Sequence, residues 1–375
     1  MGKDPVMVME TAHRILIGDA RRLDRVPDES IGLVVTSPPY PMIEMWDGIF
    51  AQQDPEIAGA LGNEDGNAAF EMMHAILDPA WDEVHRVLVP GGIACINVGD
   101  ATRTIGKHFR LYSNHARILS HCLGANFSNL PAIIWRKQTN APNKFMGSGM
   151  LPPGAYVTLE HEYVLVLRKG NRREFRTAAE RRNRAESAIF WEERNVWFSD
   201  VWFDLKGTRQ DLNDSEARKR SGAFPFELAY RLINMFSVRG DTVLDPFVGT
   251  GTTVQAAAAS NRNSIGVEID PRFKDAISRS LAAGILETSN ECVRERINSH
   301  LAFVSARTKA KGKDAFAYKS KHYGFPVMTR QEVDLILNYL RSCEELPSGE
   351  TRVRYAAELI LDFYEEGSIL GALNP

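Results

Sequence analysis

Residues 242–253, TVLDPFVGTGTT, run from a short apolar β-rich stretch through two closely spaced glycines into the helical Val254–Ser260. Gly249 and Gly251 let the backbone approach a ligand closely, and the first turn of the following helix leaves N–H groups without intrahelical acceptors. The next β-rich run, Ser264–Glu268, ends in a carboxylate about 20 residues after the strand–turn, where an acid can hold both ribose hydroxyls of an adenosine. No lysine follows the glycines, so a phosphate-cradling P-loop fails. Val254 stands where a dinucleotide fingerprint needs its third glycine. The turn therefore suits an adenosine ligand without a diphosphate.

Outward from this turn, short apolar runs alternate with helical patterns. Strands are expected at Ile15–Ile17, Leu33–Thr36, Ile93–Val98, Ile133–Trp135, Tyr163–Leu167, Thr242–Leu244 and Ile265–Glu268. Helices are expected over Phe70–Leu88, His108–Cys122 and Phe226–Phe236. Continuous apolar runs without alternation mark strands buried on both faces, and the rhythm predicts a doubly wound, mostly parallel α/β sheet over residues 13–275. Residues 170–222 break the rhythm, with Trp191, Trp197 and Trp202 among arginines, and read as an insertion. Beyond about residue 275 the pattern turns helical. Thr288 with Glu291 and Thr329 with Glu332 fit capping boxes, and Val333, Ile336, Leu337 and Leu340 share a helical face. A helical C-terminal extension is expected over 285–375.

Of 375 residues, 44% are hydrophobic and 25% charged, which excludes disordered and collagenous chains. No apolar run reaches a membrane span of roughly 18 residues. The opening residues show no signal-peptide core, and Val6 stands where myristoylation wants Ser or Thr, so a cytoplasmic protein without membrane attachment is expected. Cys95, Cys122, Cys292 and Cys343 form no CxxC pair and the histidines no HExxH, so no metal site is expected. Net charge is −3, so any contact with a polyanion must be local. Residues 168–184 carry eight Arg or Lys against Glu174 and Glu180, and residues 307–321 carry six against Asp314.

A second motif carries chemistry. Residues 33–40, LVVTSPPY, lead an apolar strand into two prolines that leave the sheet in a rigid extended turn. The carboxyl edge of an open α/β sheet is where ligands bind. There Ser37 offers a hydroxyl, Pro38 an uncommitted carbonyl and Tyr40 a flat ring, with Pro39 bracing the corner. Two acceptors beside an aromatic face suit a planar heterocycle with an exocyclic amine.

TSPPY at 36–40 followed by DPFVGTGTT at 245–253 resembles the β-class S-adenosylmethionine-dependent DNA amino-methyltransferases, in which the catalytic block precedes the cofactor block. Ile15–Asp19, Val84–Gly92, Ile133–Lys137, His161–Lys169 and Phe224–Leu228 match that family too, so the resemblance spans roughly residues 13–275. One departure is Arg220–Ala223, where the family commonly carries a histidine. The resemblance implies a Rossmann-like methyltransferase fold with circularly permuted motif order. It implies S-adenosyl-L-methionine as cofactor, covered by Phe224, its methionine part held by Asp245 and the Gly249/Gly251 turn, with Phe247 and Thr252 also among the cofactor-binding residues. Glu268 would hold the ribose, and Asp19 would accept from the adenine amine.

The chemistry follows from electronics. An exocyclic amine shares its lone pair with the ring, and accepting its N–H bonds at Ser37 and the Pro38 carbonyl would free that pair for attack on a sulfonium methyl. No Pro-Cys dipeptide occurs, which dismisses C5-cytosine methylation through a cysteine nucleophile. The target must be flipped from the duplex and stacked on Tyr40. Family members with Ser before Pro-Pro-Tyr mostly act on cytosine N4, and those with Asp or Asn mostly on adenine N6. The expected activity is therefore N4-cytosine methylation of double-stranded DNA, with adenine N6 as the alternative, beside a cognate restriction endonuclease. Sequence reading is expected from the 170–222 insertion through its arginines, with the loop after Tyr40 also near DNA.

Overall fold

The computed structural model describes residues 9–137, 146–206 and 224–356. A ten-stranded sheet organises them. From one edge to the other its strands are Val201–Trp202, Phe127–Arg136, His161–Lys169, Leu88–Val98, Ile31–Thr36, Thr242–Asp245, Asn263–Glu268, Glu10–Ile17, Glu350–Tyr355 and Leu340–Glu345. The five from Leu88–Val98 to Glu10–Ile17 are mutually parallel. His161–Lys169 runs antiparallel between Leu88–Val98 and Phe127–Arg136.

The sheet is wound on both faces because consecutive apolar residues point opposite ways. Val34 packs with Met73, Leu77 and Trp81 of the helix Gly66–Val87. Leu33 and Val35 pack with Leu228, Leu232 and Ile233 of the helix Phe226–Phe236 and with Ala256 and Ala257 of the helix Thr252–Ala259. The doubly wound, mostly parallel sheet expected from the sequence is the observed architecture.

Two local expectations are overturned, and a third is met only in part. His108–Cys122 is not one helix: His108–Tyr112 pairs with Ala101–Ile105, and the helix covers Asn114–Gly124. The Gly106-Lys107 turn, with Gly106 at φ 59°, supplies the positive dihedral that a two-residue hairpin needs. Thr288 and Glu291 cap nothing, since both lie inside the single helix Phe273–Lys311. Thr329 and Glu332 do form a capping box, but it closes only the 3-10 turn Arg330–Glu332.

Among the described residues the C-terminal part correspondingly holds no α-helix after Lys311. Leu340–Glu345 and Glu350–Tyr355 form a hairpin, and Glu350–Tyr355 pairs with Glu10–Ile17 at the sheet edge. Thr351, Val353 and Tyr355 alternate inward, a period of two that the helical spacing of Val333, Ile336, Leu337 and Leu340 obscured. Without the hairpin, Glu10–Ile17 would present an unpaired edge. The helix Phe273–Lys311 packs Val293, Ile297 and Leu301 against Phe190, Tyr323 and Phe325. Residues 357–375 and Arg220–Ala223 lie outside the described residues.

Of the expected insertion, residues 207–222 lie outside the described residues, and the part before them is split between the two ends of the parallel strands. Arg168 pairs with Ile93 and Glu162 with Trp135, so the arginine run that follows Arg168 sits at the amino ends of the parallel strands. Val201–Trp202 returns to the carboxyl ends, beside Ile134 and Trp135. Trp197 and Trp202 are core residues.

Candidate active site

Val243 and Leu244 pair with Leu33 and Val34, which sets the two motifs side by side at the carboxyl edge. The Asp245 carboxylate clasps them. Its oxygens accept from Thr36 Oγ1 and Thr253 Oγ1, both at 2.6 Å, and from the Phe247 amide at 3.1 Å. Burial pushes the Asp245 carboxyl up to about 6, opposed by the hydrogen bonds from Thr253, Thr36 and Phe247. Each motif contributes one hydroxyl to a single buried acid.

A cavity of about 460 Å³ opens above this clasp, a volume typical of sites that enclose a small ligand. Ser37, Pro38, Pro39 and Tyr40 line it, together with Asp19, Phe224, Asp245, Phe247, Gly249, Thr252 and Glu268. Gly251 is not on the wall. It caps the helix Thr252–Ala259 at φ 89°, and a Cβ there would lie 2.7 Å from Ile277 Cγ2. Gly249, by contrast, is open: an added Cβ would have only Phe247 O within 4 Å, at 3.9 Å.

Two carboxylates face the glycine side. Glu268 ends its strand and accepts from the Gly249 amide at 3.1 Å and the Asp270 amide at 3.0 Å. Burial raises its pKa, and those two amides oppose the rise. Asp19 follows the strand Glu10–Ile17 and is bridged to Arg21 at 2.5 Å. Burial acts to raise its pKa, but the Arg21 hydrogen bonds and charge outweigh it and hold the carboxyl below its ordinary value.

At the proline corner the structure adds three residues to which sequence reasoning gave no role. Tyr40 Oη donates to Glu162 Oε2 at 3.0 Å and accepts from Asn97 Nδ2 at 2.9 Å. Asn97 Nδ2 also donates to Glu162 Oε2 at 2.7 Å, and Lys137 Nζ donates to Glu162 Oε1 at 2.7 Å. Burial and the Glu162 charge raise the Tyr40 phenol well above its ordinary value. Ser37 Oγ lies 2.9 Å from Tyr40 Oη. The phenol has one proton, and it is given to Glu162. The Ser37 hydroxyl must therefore donate to Tyr40, which leaves the Ser37 lone pairs facing the cavity as acceptors. The signal for these residues was a polar side chain inside an apolar strand run, Asn97 in Ile93–Val98 and Glu162 ahead of Tyr163–Leu167.

Trp46, Ile49 and Phe50 form an apolar wall, carried by the helix Asp47–Gln53 and the turn before it. Among the described residues no group of three His, Cys, Asp or Glu could hold a metal ion, and no helix is long and apolar enough to cross a membrane.

Known proteins resemble this chain in sequence and in fold. The DNA methylase family model for N6 and N4 methyltransferases matches residues 31–279. The chain is 52% identical over 348 residues to the type II methyltransferase M.MthZI of Methanothermobacter thermautotrophicus, covering 92% of this chain and 96% of that one. It is 49% identical over 282 residues to the type II methyltransferase M.MjaI of Methanocaldococcus jannaschii, covering 72% and 91%. A DNA modification methylase of Thermus thermophilus, crystallised with S-adenosyl-L-methionine, superposes with a TM-score of 0.56 at 34% identity, covering 72% of this chain and 92% of that one.

Proposed function

The chain belongs to the S-adenosyl-L-methionine-dependent DNA amino-methyltransferases of the N6/N4 family, and on that premise we propose that it methylates the exocyclic N4 amine of a cytosine flipped out of duplex DNA. The observation that carries this reading is the forced polarity at Ser37. Its proton is committed to Tyr40, so its oxygen can only accept from an amine entering the cavity.

The cavity fits the cofactor chemically. Glu268 presents a carboxylate for ribose hydroxyls, the open Gly249 backbone allows close approach, and Asp19 and the ring of Phe224 close the sides. The first turn of the helix from Thr252 offers unpaired amides to a carboxylate. Asp245 and Gly251 act one step back, as clasp and turn, while Phe247 and Thr252 complete the wall. When bound, the cofactor supplies a methyl group activated by a sulfonium.

The protein's own residues do the rest. Ser37 Oγ and the Pro38 carbonyl accept the two amine protons and weaken the nitrogen's conjugation with the ring. Tyr40 stacks on the base, and Pro39 fixes the corner that presents it. The apolar wall at Trp46 and Phe50 excludes water, which strengthens each of these bonds. As the amine becomes positive, one of its protons passes to Ser37, the Ser37 proton to Tyr40 and the Tyr40 proton to Glu162, which ends neutral.

Ser ahead of Pro-Pro-Tyr supports cytosine N4 over adenine N6, as the family correlation implies. Similarity to type II methyltransferases over nearly the whole chain supports a modification role beside a cognate restriction endonuclease in the cytoplasm. Sequence reading we assign to segments near the carboxyl edge, the helices Asp47–Gln53 and Glu56–Gly62 after Tyr40 and residues 146–160 ahead of the strand His161–Lys169. Incubation with labelled cofactor and duplex DNA, then nucleoside analysis, tests the proposal. N4-methylcytosine is expected, and N6-methyladenine as sole product would overturn the base assignment.

A further inference from the structure

The arginine run that the methyl-transfer site does not use lines a groove of its own. Arg168, Arg172, Arg173, Arg181, Arg184 and Arg194 border a cleft of about 950 Å³ at the amino ends of the parallel strands. Among the described residues only Arg173 is neutralised there, by Asp241 at 2.7 Å. The other five have no carboxylate partner among the described residues, and Arg172, Arg181, Arg184 and Arg194 are exposed.

Nearby acids are spent elsewhere. Glu186 pairs with Arg182 and Arg239, Glu193 with Arg296, and Glu192 with His300. Glu332, the acid on the groove wall, accepts from the Trp191 amide and from Thr329. A chain of net charge −3 thus concentrates uncompensated positive charge in one cleft.

Aromatic rings sit between the guanidinium groups. Arg184 lies 4.9 Å over Phe175 and Arg194 lies 5.7 Å over Phe198. Trp191 and Phe198 are 36% and 44% exposed on the same wall. Guanidinium groups held in place over rings present their N–H donors in a fixed array that matches a phosphate backbone.

We propose that this groove is a second nucleic-acid site, taking the backbone of a DNA segment other than the one being methylated. Glu162, bonded to Tyr40, and Arg168, on the groove, are six residues apart on one strand, about 20 Å. They stand on opposite edges of the sheet, and a duplex stiff over about 150 base pairs does not fold around a sheet edge at low cost. A protein that holds a neighbouring DNA segment while its cavity samples bases stays local between encounters.

The test uses the full chain without cofactor, so it does not depend on the assignment of the methylated base. A fluorescent duplex of about a dozen base pairs is titrated in, and the number bound per protein is measured against salt. Two duplexes are expected per chain. The triple variant Arg172→Gln, Arg184→Gln, Arg194→Gln should bind one, melt within a few degrees of wild type, and lower the total slope of log affinity against log salt by about 3. Its single-turnover methylation of the same duplex should be unchanged. One duplex bound by wild type, or two retained by the variant, overturns the proposal. Methylation lost in a folded variant also overturns it, by placing these arginines on the catalytic duplex.

Discussion

Replacing Tyr40 with Phe should slow methyl transfer without touching cofactor affinity. The ring that stacks on the base stays; only the hydroxyl goes. With it go the proton donated to Glu162 at 3.0 Å and the acceptor of the Ser37 proton at 2.9 Å. Ser37 is then free to turn its proton toward the cavity, where it meets an amine donor head-on instead of accepting from it. A hydrogen bond to a charged group is worth about 1.5–3 kcal/mol, and a tenfold rate change corresponds to about 1.4 kcal/mol, so turnover should fall between about 10-fold and about 150-fold. Glu162→Gln should cause a loss of similar size, because an amide can donate where the carboxylate could only accept. The two losses should be far from additive, since both act through the same Ser37 orientation. The assay is single-turnover transfer to a short duplex, with cofactor affinity measured by calorimetry. A Tyr40→Phe enzyme within twofold of wild type, or one whose defect lies in cofactor binding, would refute the polarity argument.

Gly251→Val should weaken cofactor binding and lower the melting temperature together, because its Cβ would sit 2.7 Å from Ile277 Cγ2 at a φ of 89°, and calorimetry with thermal melting reads both. Asp245 has a folded pKa raised to about 6 by burial, so its native charge is disfavoured. Its contribution is full below the unfolded value near 4 and is lost as pH rises from about 4 to about 6. The stability difference between wild type and Asp245→Asn should therefore shift against wild type across that window, by on the order of 3 kcal/mol in denaturant titrations. His13 works in the opposite sense: burial lowers it to about 3, so its contribution is full above pH 6.5 and fades as pH falls through the acid range. Tyr355→Phe removes bonds to Thr11 Oγ1 at 2.8 Å and Ala258 O at 2.6 Å, and urea unfolding should show a loss of about 1–3 kcal/mol.

What the sequence made legible was the part written in local chemistry. Apolar runs gave the central strands, and the glycine turn and the Pro-Pro corner gave the two halves of the cavity, because dihedral demands and missing N–H groups are properties of single residues. Glu162, Asn97 and Lys137 stayed silent for the opposite reason. Each is an ordinary polar residue whose meaning exists only once Leu88–Val98 and His161–Lys169 pair and bring Asn97 opposite Val164. The C-terminal hairpin was misread because its helical spacing is real but the open edge of Glu10–Ile17 offered more, a ladder of backbone bonds. Likewise the arginine run advertised a polyanion without saying on which edge of the sheet it would stand.

The Asp245 clasp explains how a permuted motif order can still make one site. Thr36 and Thr253 are 217 positions apart, so chain connectivity does nothing to fix the proline corner against the glycine turn. Apolar packing alone would hold the two strands together but tolerate small slides, since dispersion contacts are non-directional. Two hydroxyl bonds of 2.6 Å to opposite oxygens of one carboxylate are directional and leave a single relative position. Methyl transfer needs reacting atoms about 3–3.5 Å apart and in line, so a sub-ångström slide between the motifs would already cost rate. The raised pKa of Asp245 measures what the fold gives up to hold a buried charge at that junction. A Thr36→Val, Thr253→Val pair should therefore cost stability, on the order of 1–3 kcal/mol, since it strips two donors from a buried carboxyl, and leave the chain folded. It should still lose turnover, with cofactor affinity retained, and a double variant with full turnover would show that packing alone sets the register.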